Sequence, residues 1–330
     1  MQNKKILICI VGPTAIGKTA LSIKIANHFS TEIISADSRQ FYKEMNIGTA
    51  VPSSKELKSV KHHFIQNKSI FEDYNVGSFE KDAIQLLGNL FKINPITVMV
   101  GGSGLYIDAI IKGLDKFPEV SQEIRIALNN DYNKLGIEFL QEELKQKDPT
   151  YYNKVDLQNY HRVIRALEVC RYQKLPYSSF LNSENKTREF ETIFIGLQAE
   201  RYLVYNKINL RVDMMIDKGL IEEAKELLPY KTLNALQTVG YKELFKYFEG
   251  SATKEEAIEE IKKNTRRFAK RQGTWFRKNE KINWFNYTTG ASEIIQFIEN
   301  ELLVFEKKSN MGRCQKITII NIQLRFLPLI

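Results

Sequence analysis

The sequence is poor in the residues that build metal clusters and disulfide frameworks. Its 330 residues include three cysteines, Cys9, Cys170 and Cys314, and four histidines. The cysteines lie far apart and form no C-x-x-C pair, which excludes a zinc knuckle and a disulfide scaffold. Two of the histidines, His62 and His63, are neighbours. Because adjacent side chains point in different directions, we expect packing or loop contacts from this pair rather than a shared metal ion.

Long apolar runs are absent as well. No stretch approaches the roughly 20 residues that a membrane-spanning helix needs. The run Ile6–Val11 is too short for the core of a signal peptide, and no small-residue cleavage site follows it. With 43% hydrophobic and 26% charged residues, the composition is typical of a globular protein. We therefore expect a cytoplasmic protein of about two domains that does not enter a membrane.

Hydrophobic periodicity predicts an α/β protein. The continuous apolar run within Lys5–Val11 is typical of a buried parallel strand, and Glu32–Ser35 and Ile96–Val100 are predicted as further strands. The patterns of Thr19–Phe29 and Glu80–Phe91 predict helices between them. Residues 49–78 look rich in loops. From about 115 to 188 only charged helical patterns occur, and the segment ETIFIGL at 191–197 then returns the chain to the first sheet.

The segment GPTAIGKT, at residues 12–19, fits the pattern G-x-x-x-x-G-K-[ST] between a predicted strand and a predicted helix. In such a P-loop, glycines let successive N–H groups turn inward, and the helix start adds partial positive charge. Lys18 supplies a cation for phosphate oxygens, and the Thr19 hydroxyl can hold a magnesium ion. The predicted phosphate-binding residues are Gly12, Pro13, Thr14, Ala15, Ile16, Gly17, Lys18 and Thr19.

These patterns predict a P-loop NTPase-like parallel sheet flanked by helices, with an all-helical insertion domain. We predict that residues 1–114 and 189–290 form the P-loop core with its C-terminal helices, and that residues 115–188 form the insertion. The structure of the tail, residues 306–330, is left open.

A P-loop does not by itself define a reaction. ATP-hydrolysing proteins usually carry an acidic residue at the end of a later strand, but the segment ITVMV ends in Gly101-Gly102-Ser103-Gly104. The acidic residue at a strand end is instead Asp37, in SADSRQ. Magnesium binding, acceptance of a proton from a nucleophile, and capping of a helix are three roles that the pattern leaves open for Asp37.

Eight blocks occur in the order found in the tRNA dimethylallyltransferases, also called tRNA isopentenyltransferases, and the chain resembles that family from residue 6 to about 285. The blocks are VGPTAIGKTAL, ISADSRQFYKEMNIGTAVPS, HHFI, VGGSGLYIDAIIKGL, RVIRALEV, LRVDMMIDKGLIEEA, QTVGYKEL and TRRFAKRQGTWFRK. Three features depart from the family pattern: Ser103 stands where threonine is common, Gln66 stands where an acidic residue is common, and the tail from about Glu306 has no counterpart.

The resemblance implies transfer of a dimethylallyl group from dimethylallyl diphosphate to the exocyclic amine of the adenosine 3′ of the anticodon. The P-loop would then hold a diphosphate leaving group together with magnesium, and Arg211 would contact the diphosphate. Without the resemblance, a surface salt bridge is the simpler role for Arg211. The implied catalytic residues are Asp37, Thr19 and Arg211, and Asp37 would hold or deprotonate the adenine amine.

The resemblance also implies contacts to the anticodon stem-loop of tRNA, whose target base must leave its stack to reach a buried site. The implied contact residues are Asp37, Ser38, Arg39, Gln40, Ser103, Arg125, His161, Arg162, Val163, Ile164, Arg165, Gln237, Thr238, Val239, Gly240, Tyr241 and Lys242. For Ser103, ordinary turn chemistry is the alternative.

A basic segment near the C-terminus supports an RNA partner independently. The net charge is +9, and nine lysines and arginines against one acidic residue fall between Lys262 and Lys281. On a helix, Ile258, Ile261, Phe268 and Trp275 would form an apolar stripe on the core. Lys263, Arg266, Arg267 and Lys270 would form a basic stripe that faces outward and could contact phosphates. A solvated helix face is the alternative.

Two other functions are compatible with a P-loop. A small-molecule or nucleotide kinase with a helical lid would share the strand–helix core, and an RNA-binding protein could use the nucleotide site as a switch. The Gly-rich turn at 101–104 and the position of Asp37 argue against a kinase. We expect a monomer.

Overall fold

A computed structural model describes residues 4–181 and 187–324, and the side chains of the last helix up to residue 307. The chain divides into two compact units. Residues up to Ile111 and from Arg188 onward form the first unit, and Lys112–Thr187 form the second.

A six-stranded parallel sheet organises the first unit, in the order β3-β2-β4-β1-β5-β6. All of its neighbouring strands pair in parallel. The strands are β1 Ile6–Val11, β2 Ile33–Ala36, β3 His62–His63, β4 Ile96–Gly101, β5 Glu191–Gln198 and β6 Ile282–Asn286.

The central strand β1 shows why continuous apolar runs form the middle of this sheet. Leu7, Cys9 and Val11 pack into one buried cluster, whereas Ile8 and Ile10 pack into the other. Because successive side chains of a strand point to opposite faces, a strand covered by helices on both sides needs apolar residues at every position.

Helices α1–α4 and α8–α12 belong to the first unit. They are α1 Lys18–His28, α2 Ser54–Ser59, α3 Val76–Ile93, α4 Gly104–Ile111, α8 Arg201–Asp217, α9 Leu220–Leu227, α10 Tyr241–Phe248, α11 Lys254–Phe276 and α12 Ala291–Leu324. None of the helices in the described part of the chain combines the length and the apolar character that crossing a bilayer requires.

The second unit is helical throughout its described residues. It contains α5 Gln122–Lys147, α6 Pro149–Tyr152, α7 Tyr160–Gln173 and a short 3₁₀ helix at Tyr177–Phe180. A non-helical Gly136, at φ +83°, kinks α5. Leu128, Leu140 and Leu144 of α5 pack against the buried face of α7.

The α/β fold predicted from the sequence is confirmed, and the structure adds elements that the patterns did not indicate. β6 was not predicted, because its sequence INWFN is short and mixed and it pairs only with β5 at the sheet edge. The loop-rich region contains α2 and the two-residue strand β3. In the tail, the backbone continues α12 through Leu324, and residues 325–330 lie outside the described residues.

Candidate active site

The P-loop runs from the end of β1 to the start of α1. Gly12 has φ +143°, and a Cβ there would come within 2.6 Å of the Leu197 carbonyl oxygen. Gly17, at φ +104°, is the residue before α1. Side chains disfavour both conformations, so the two glycines shape the turn. Within the described residues, the backbone N–H groups of Ala15, Ile16 and Gly17 donate to no protein acceptor.

Lys18 lies folded against this loop, where its Nζ donates to the Pro13 carbonyl at 2.7 Å. Burial lowers the pKa of Lys18 to about 8, Asp37 opposes the shift, and Arg211 adds to it. Burial likewise lowers the pKa of Arg211, again opposed by Asp37. In the part of the chain that the structure describes, Arg211 has no hydrogen bond and no ion pair. The surface salt bridge considered for Arg211 is therefore absent there.

Asp37 follows β2 at the same edge of the sheet as the P-loop. Its Oδ1 accepts from the Arg39 N–H at 3.1 Å and so caps a turn. No helix begins in residues 37–42, so the helix-capping role is wrong. Because the carboxyl ends of parallel strands meet at one edge, Asp37 and the P-loop come together although they are distant in sequence.

Two cavities meet at these residues. The cradle cavity, about 420 Å³, is lined by residues 14–20 of the P-loop and the first turn of α1, together with Gln40, His62 and Lys207 among others. The acceptor cavity, about 640 Å³, is lined by Ser38, Ser103, Thr238 and Trp275 among others. Thr14, Asp37 and Arg211 line both cavities. A ligand in the cradle cavity and a ligand in the acceptor cavity would therefore meet beside a carboxylate and a guanidinium.

Gln272 of α11 connects the two loops at this junction. Its Oε1 accepts from the Thr14 N–H at 2.9 Å, and its Nε2 donates to the Gly102 carbonyl at 3.0 Å. The Thr14 N–H is thus occupied by a protein acceptor, unlike the N–H groups of Ala15, Ile16 and Gly17 within the described residues. Sequence reasoning missed Gln272, and its position inside the basic segment gave no local signal for a buried contact.

Ser103 links the Gly-rich turn to the segment after Asp37. Its Oγ accepts from the Ser38 N–H at 3.0 Å and lies 3.2 Å from the Ser38 Oγ. Its own N–H donates to the Ala36 carbonyl at 3.3 Å. The turn role considered for Ser103 is thus present, and the same residue also lines the acceptor cavity.

A carboxylate that the sequence did not single out holds the neighbouring loop. Glu223 accepts from the backbone N–H groups of Asn46, Ile47 and Gly48 and from the Tyr241 hydroxyl, at 2.6–3.0 Å. Gly48 packs directly on the Tyr241 ring, which a Cβ would approach within 2.6 Å. The loop whose Gly48 lines the acceptor cavity is therefore fixed by contacts to α9 and α10.

Many of the residues predicted to contact RNA in the first unit lie together. The acceptor cavity is lined by Asp37, Ser38, Arg39, Ser103, Gln237, Thr238, Val239, Gly240 and Lys242. Gln40 lines the cradle cavity instead, where its Nε2 donates to the carbonyls of Thr49 and Ala50. Tyr241 is fully buried, so its side chain cannot touch RNA, and the prediction for it is wrong.

The second unit divides its predicted residues between surface and core. His161 and Arg162 are exposed, and Arg125 and Arg165 both form ion pairs with Glu168. Val163 and Ile164 are 0% and 2% exposed because they form the core face of α7. Their predicted RNA contacts are therefore wrong. Neighbouring residues on a helix point in different directions, so Val163 and Ile164 face the core although His161 and Arg162 are exposed.

The basic segment forms α11, and its stripes differ partly from those expected. Ile261 is buried, but Phe268 and Trp275 are 38% and 39% exposed and line the acceptor cavity. Lys263, Arg267 and Lys270 are exposed, as expected for a basic stripe. Arg266 instead donates to Asn209 Oδ1 at 2.7 Å.

Metal-binding clusters are absent from the described residues, where no group of three His, Cys, Asp or Glu side chains converges. His62 Nδ1 contacts the Val60 carbonyl, and His63 Nε2 contacts Glu32. Both histidines of this pair thus make polar contacts, one of the two alternatives expected for them, although they lie in the short strand β3 rather than in a loop.

The parallel sheet, the P-loop and the paired cavities define a P-loop α/β protein in which the cradle cavity adjoins a second cavity. The family model described as IPP transferase matches residues 40–279, and the chain belongs to this family. A protein of Flavobacterium johnsoniae named tRNA dimethylallyltransferase is 58% identical over 90% of this chain and 98% of its own. One of the same name from Christiangramia forsetii is 59% identical, with the same coverage.

Solved structures agree with this assignment. The tRNA isopentenylpyrophosphate transferase of Bacillus halodurans has a TM-score of 0.70 at 36% identity, covering 94% of this chain and 100% of that chain. A eukaryotic dimethylallyltransferase described as acting on tRNA has a TM-score of 0.78 at 25% identity, covering 91% of this chain and 80% of that chain. The family resemblance inferred from the sequence is confirmed.

Proposed function

We propose that this protein transfers a dimethylallyl group from dimethylallyl diphosphate to the exocyclic amine of the adenosine 3′ of the anticodon in tRNA. The proposal rests on one geometric observation, the meeting of the cradle cavity and the acceptor cavity at Thr14, Asp37 and Arg211. Relatives named tRNA dimethylallyltransferase support the choice of both substrates.

In this reaction, the bond between the allylic carbon and a diphosphate oxygen breaks, and its electron pair leaves with the diphosphate. The adenine nitrogen forms the new bond to carbon and loses one proton. Negative charge therefore develops on the leaving diphosphate, inside the P-loop. The free N–H groups of Ala15, Ile16 and Gly17, with Lys18, would stabilise that charge without reorganising.

Arg211 is proposed to bind the same diphosphate from the side of the acceptor cavity. Its guanidinium makes no hydrogen bond and no ion pair within the described residues, and burial lowers its pKa although the charge of Asp37 opposes the shift. A cation without a hydrogen-bonded partner gains more from an anionic ligand than an already paired one does. Arg211 is thus suited to clamp the diphosphate where the two cavities join.

Magnesium is the proposed cofactor, and the donor set fits it. Thr19 lines the cradle cavity and offers a hydroxyl oxygen, the kind of hard ligand that magnesium prefers. Magnesium usually takes only one or two protein ligands and completes its shell with water and substrate phosphates. The absence of a carboxylate cluster among the described residues is compatible with this mode. Bound there, magnesium would neutralise charge on the diphosphate.

Asp37 is proposed to orient the adenine amine and to accept its proton. One of its oxygens receives the Arg39 N–H, and the carboxylate lines both cavities. Because the adenine amine is barely basic, holding it in line with the allylic carbon matters more than strong basicity.

Exposed cations and polar groups of both units are proposed to bind the anticodon stem-loop. In the first unit these are the residues of the acceptor cavity and the basic stripe of α11, and in the second unit they are Arg125, His161, Arg162 and Arg165. Because one chain lines both cavities, we also propose that the protein works as a monomer. We propose the cytoplasm as its location, since its proposed substrate is tRNA.

The test is an incubation of purified protein with magnesium, dimethylallyl diphosphate and unmodified tRNA, followed by mass analysis of the digested nucleosides. We expect one five-carbon prenyl unit on adenosine. Asp37→Asn keeps the size of the side chain, and turnover should fall by about a hundredfold or more while diphosphate affinity changes little. In a parallel incubation with ATP in place of dimethylallyl diphosphate, consumption of ATP would instead support a kinase, and RNA affinity that depends on ATP without covalent change would support a switch.

A further inference from the structure

Trp275 is a large aromatic side chain at the wall of the acceptor cavity. It is 39% exposed, whereas its neighbours Gln272 and Phe276 on α11 are 5% and 4% exposed. Its place on the helix therefore turns the indole away from the core and toward the cavity. Nothing in the P-loop chemistry described above uses this ring.

The ring is held rigidly. Its Nε1 donates to Asp108 Oδ2 at 3.1 Å, and the indole lies against Gly104, where a Cβ would approach the ring within 2.4 Å. A half-exposed side chain that is fixed at its polar end loses little conformational entropy when a ligand packs on it. The indole is thus a preformed flat surface.

A short series of contacts connects this surface to Asp37. Gly104 is the residue after Ser103, and the Ser103 Oγ accepts from the N–H of Ser38, the residue after Asp37. Asp37, Ser103 and Trp275 also line one cavity. A planar group that lies on the indole would therefore occupy the same cavity as the carboxylate of Asp37.

We propose that Trp275 is the surface on which the acceptor adenine stacks, which presents the exocyclic amine to Asp37. This inference rests on the proposed function. A base that leaves its stack in the RNA loses stacking energy, and an aromatic ring in the protein restores it. Because every base has a π face, Trp275 supplies affinity, while the groups around Asp37 distinguish adenine from other bases.

A single-tryptophan variant allows a direct test, because the chain contains only two tryptophans. The other one, Trp284, lies on β6 beside Gly196 and is not among the residues that line either cavity. Trp284→Phe leaves Trp275 as the sole indole reporter. Its fluorescence is recorded while an unmodified anticodon stem-loop is added, and then with a loop that is abasic at the acceptor position. Binding of both loops is verified separately by anisotropy.

We expect the loop with adenosine to quench the fluorescence strongly and the abasic loop, at matched occupancy, to leave it nearly unchanged. Equal quenching by the two loops, or no quenching by either, would overturn the proposal. This measurement needs no catalysis. If wild-type protein bound the loop but did not prenylate it, the proposed function would fail while the stacking result stood on its own.

Kinetics supply a second test. Trp275→Leu removes the π surface but keeps an apolar side chain, and its kcat/KM for RNA should fall about tenfold or more. Trp275→Phe keeps an aromatic ring, and its kcat/KM for RNA should stay within about threefold of wild type. The affinity for dimethylallyl diphosphate should be the same in both variants. Equal kcat/KM values for the leucine variant and wild type would contradict the proposal.

Discussion

The buried ammonium of Lys18 should make diphosphate binding depend on pH. In the unliganded site the pKa of Lys18 is about 8, lowered chiefly by burial, with Arg211 adding to the shift and Asp37 opposing it. A bound diphosphate brings negative charge beside the ammonium and raises this pKa again. Above pH 8, binding must therefore be accompanied by uptake of a proton, and affinity must fall as the pH rises.

The size of the effect follows from that pKa. Lys18 is about nine-tenths protonated at pH 7 and about one-tenth protonated at pH 9 if the pKa is about 8. If the bound lysine stays protonated throughout, the affinity for dimethylallyl diphosphate falls about tenfold between those two pH values. Because the charged form is the one that binds, the loss appears on the alkaline side only.

Isothermal titration calorimetry with saturating magnesium and no RNA measures this affinity. Lys18→Arg is the matched control, because arginine remains charged over the whole range and the ligand ionises identically in both experiments. The ratio of wild-type to variant affinity should fall about tenfold from pH 7 to pH 9. Titration at pH 9 in buffers of different ionisation enthalpy should detect uptake of nearly one proton by wild type alone. Parallel pH profiles for the two proteins would refute the reasoning.

Three further outcomes follow from contacts around the site. Gln272→Glu keeps an acceptor for the Thr14 N–H but sets an oxygen against the Gly102 carbonyl. In steady-state assays kcat should therefore fall about tenfold or more, and KM for dimethylallyl diphosphate should change less. An unchanged kcat would show that this bridge does not position the loops. Glu223→Gln loses a charged acceptor that serves three backbone N–H groups, and urea denaturation should give a loss of about 2 kcal/mol, against about 1 for Tyr241→Phe. Equal losses would contradict the role assigned to the carboxylate. Val163→Ala should lower the free energy of unfolding by about 1–3 kcal/mol without altering the salt dependence of tRNA affinity. Arg162→Ala should leave the free energy of unfolding nearly unchanged and should weaken the salt dependence of tRNA affinity.

The sequence determined the features that depend on neighbours along the chain. The P-loop lies within eight consecutive residues between a strand and a helix, so its position needed no tertiary information. Asp37 could be placed at the same edge because it follows a parallel strand, and such strands end together. The helical character of the insertion likewise followed from periodicity alone.

Other features depend on which surfaces of distant segments meet. Val163 and Arg162 are adjacent in one block, yet only the packing of α7 on α5 decides that the first is buried and the second exposed. Strand β6 is too short and too mixed for periodicity to detect, and pairing with β5 is what defines it as a strand. In each case the information lies in a partner far away in sequence.

The junction of the two cavities shows most clearly which contacts local sequence patterns could not predict. Gln272 bonds to Thr14, 258 residues away, and Trp275 bonds to Asp108, 167 residues away. In the sequence, both residues stand in a basic segment whose apolar spacing indicated only a core-facing stripe. Side-chain chemistry and local periodicity fix what a residue can do and whether its segment is a helix. The contacts that place Gln272 and Trp275 at the wall of the acceptor cavity form only in the tertiary structure, where α11 meets the P-loop and α4.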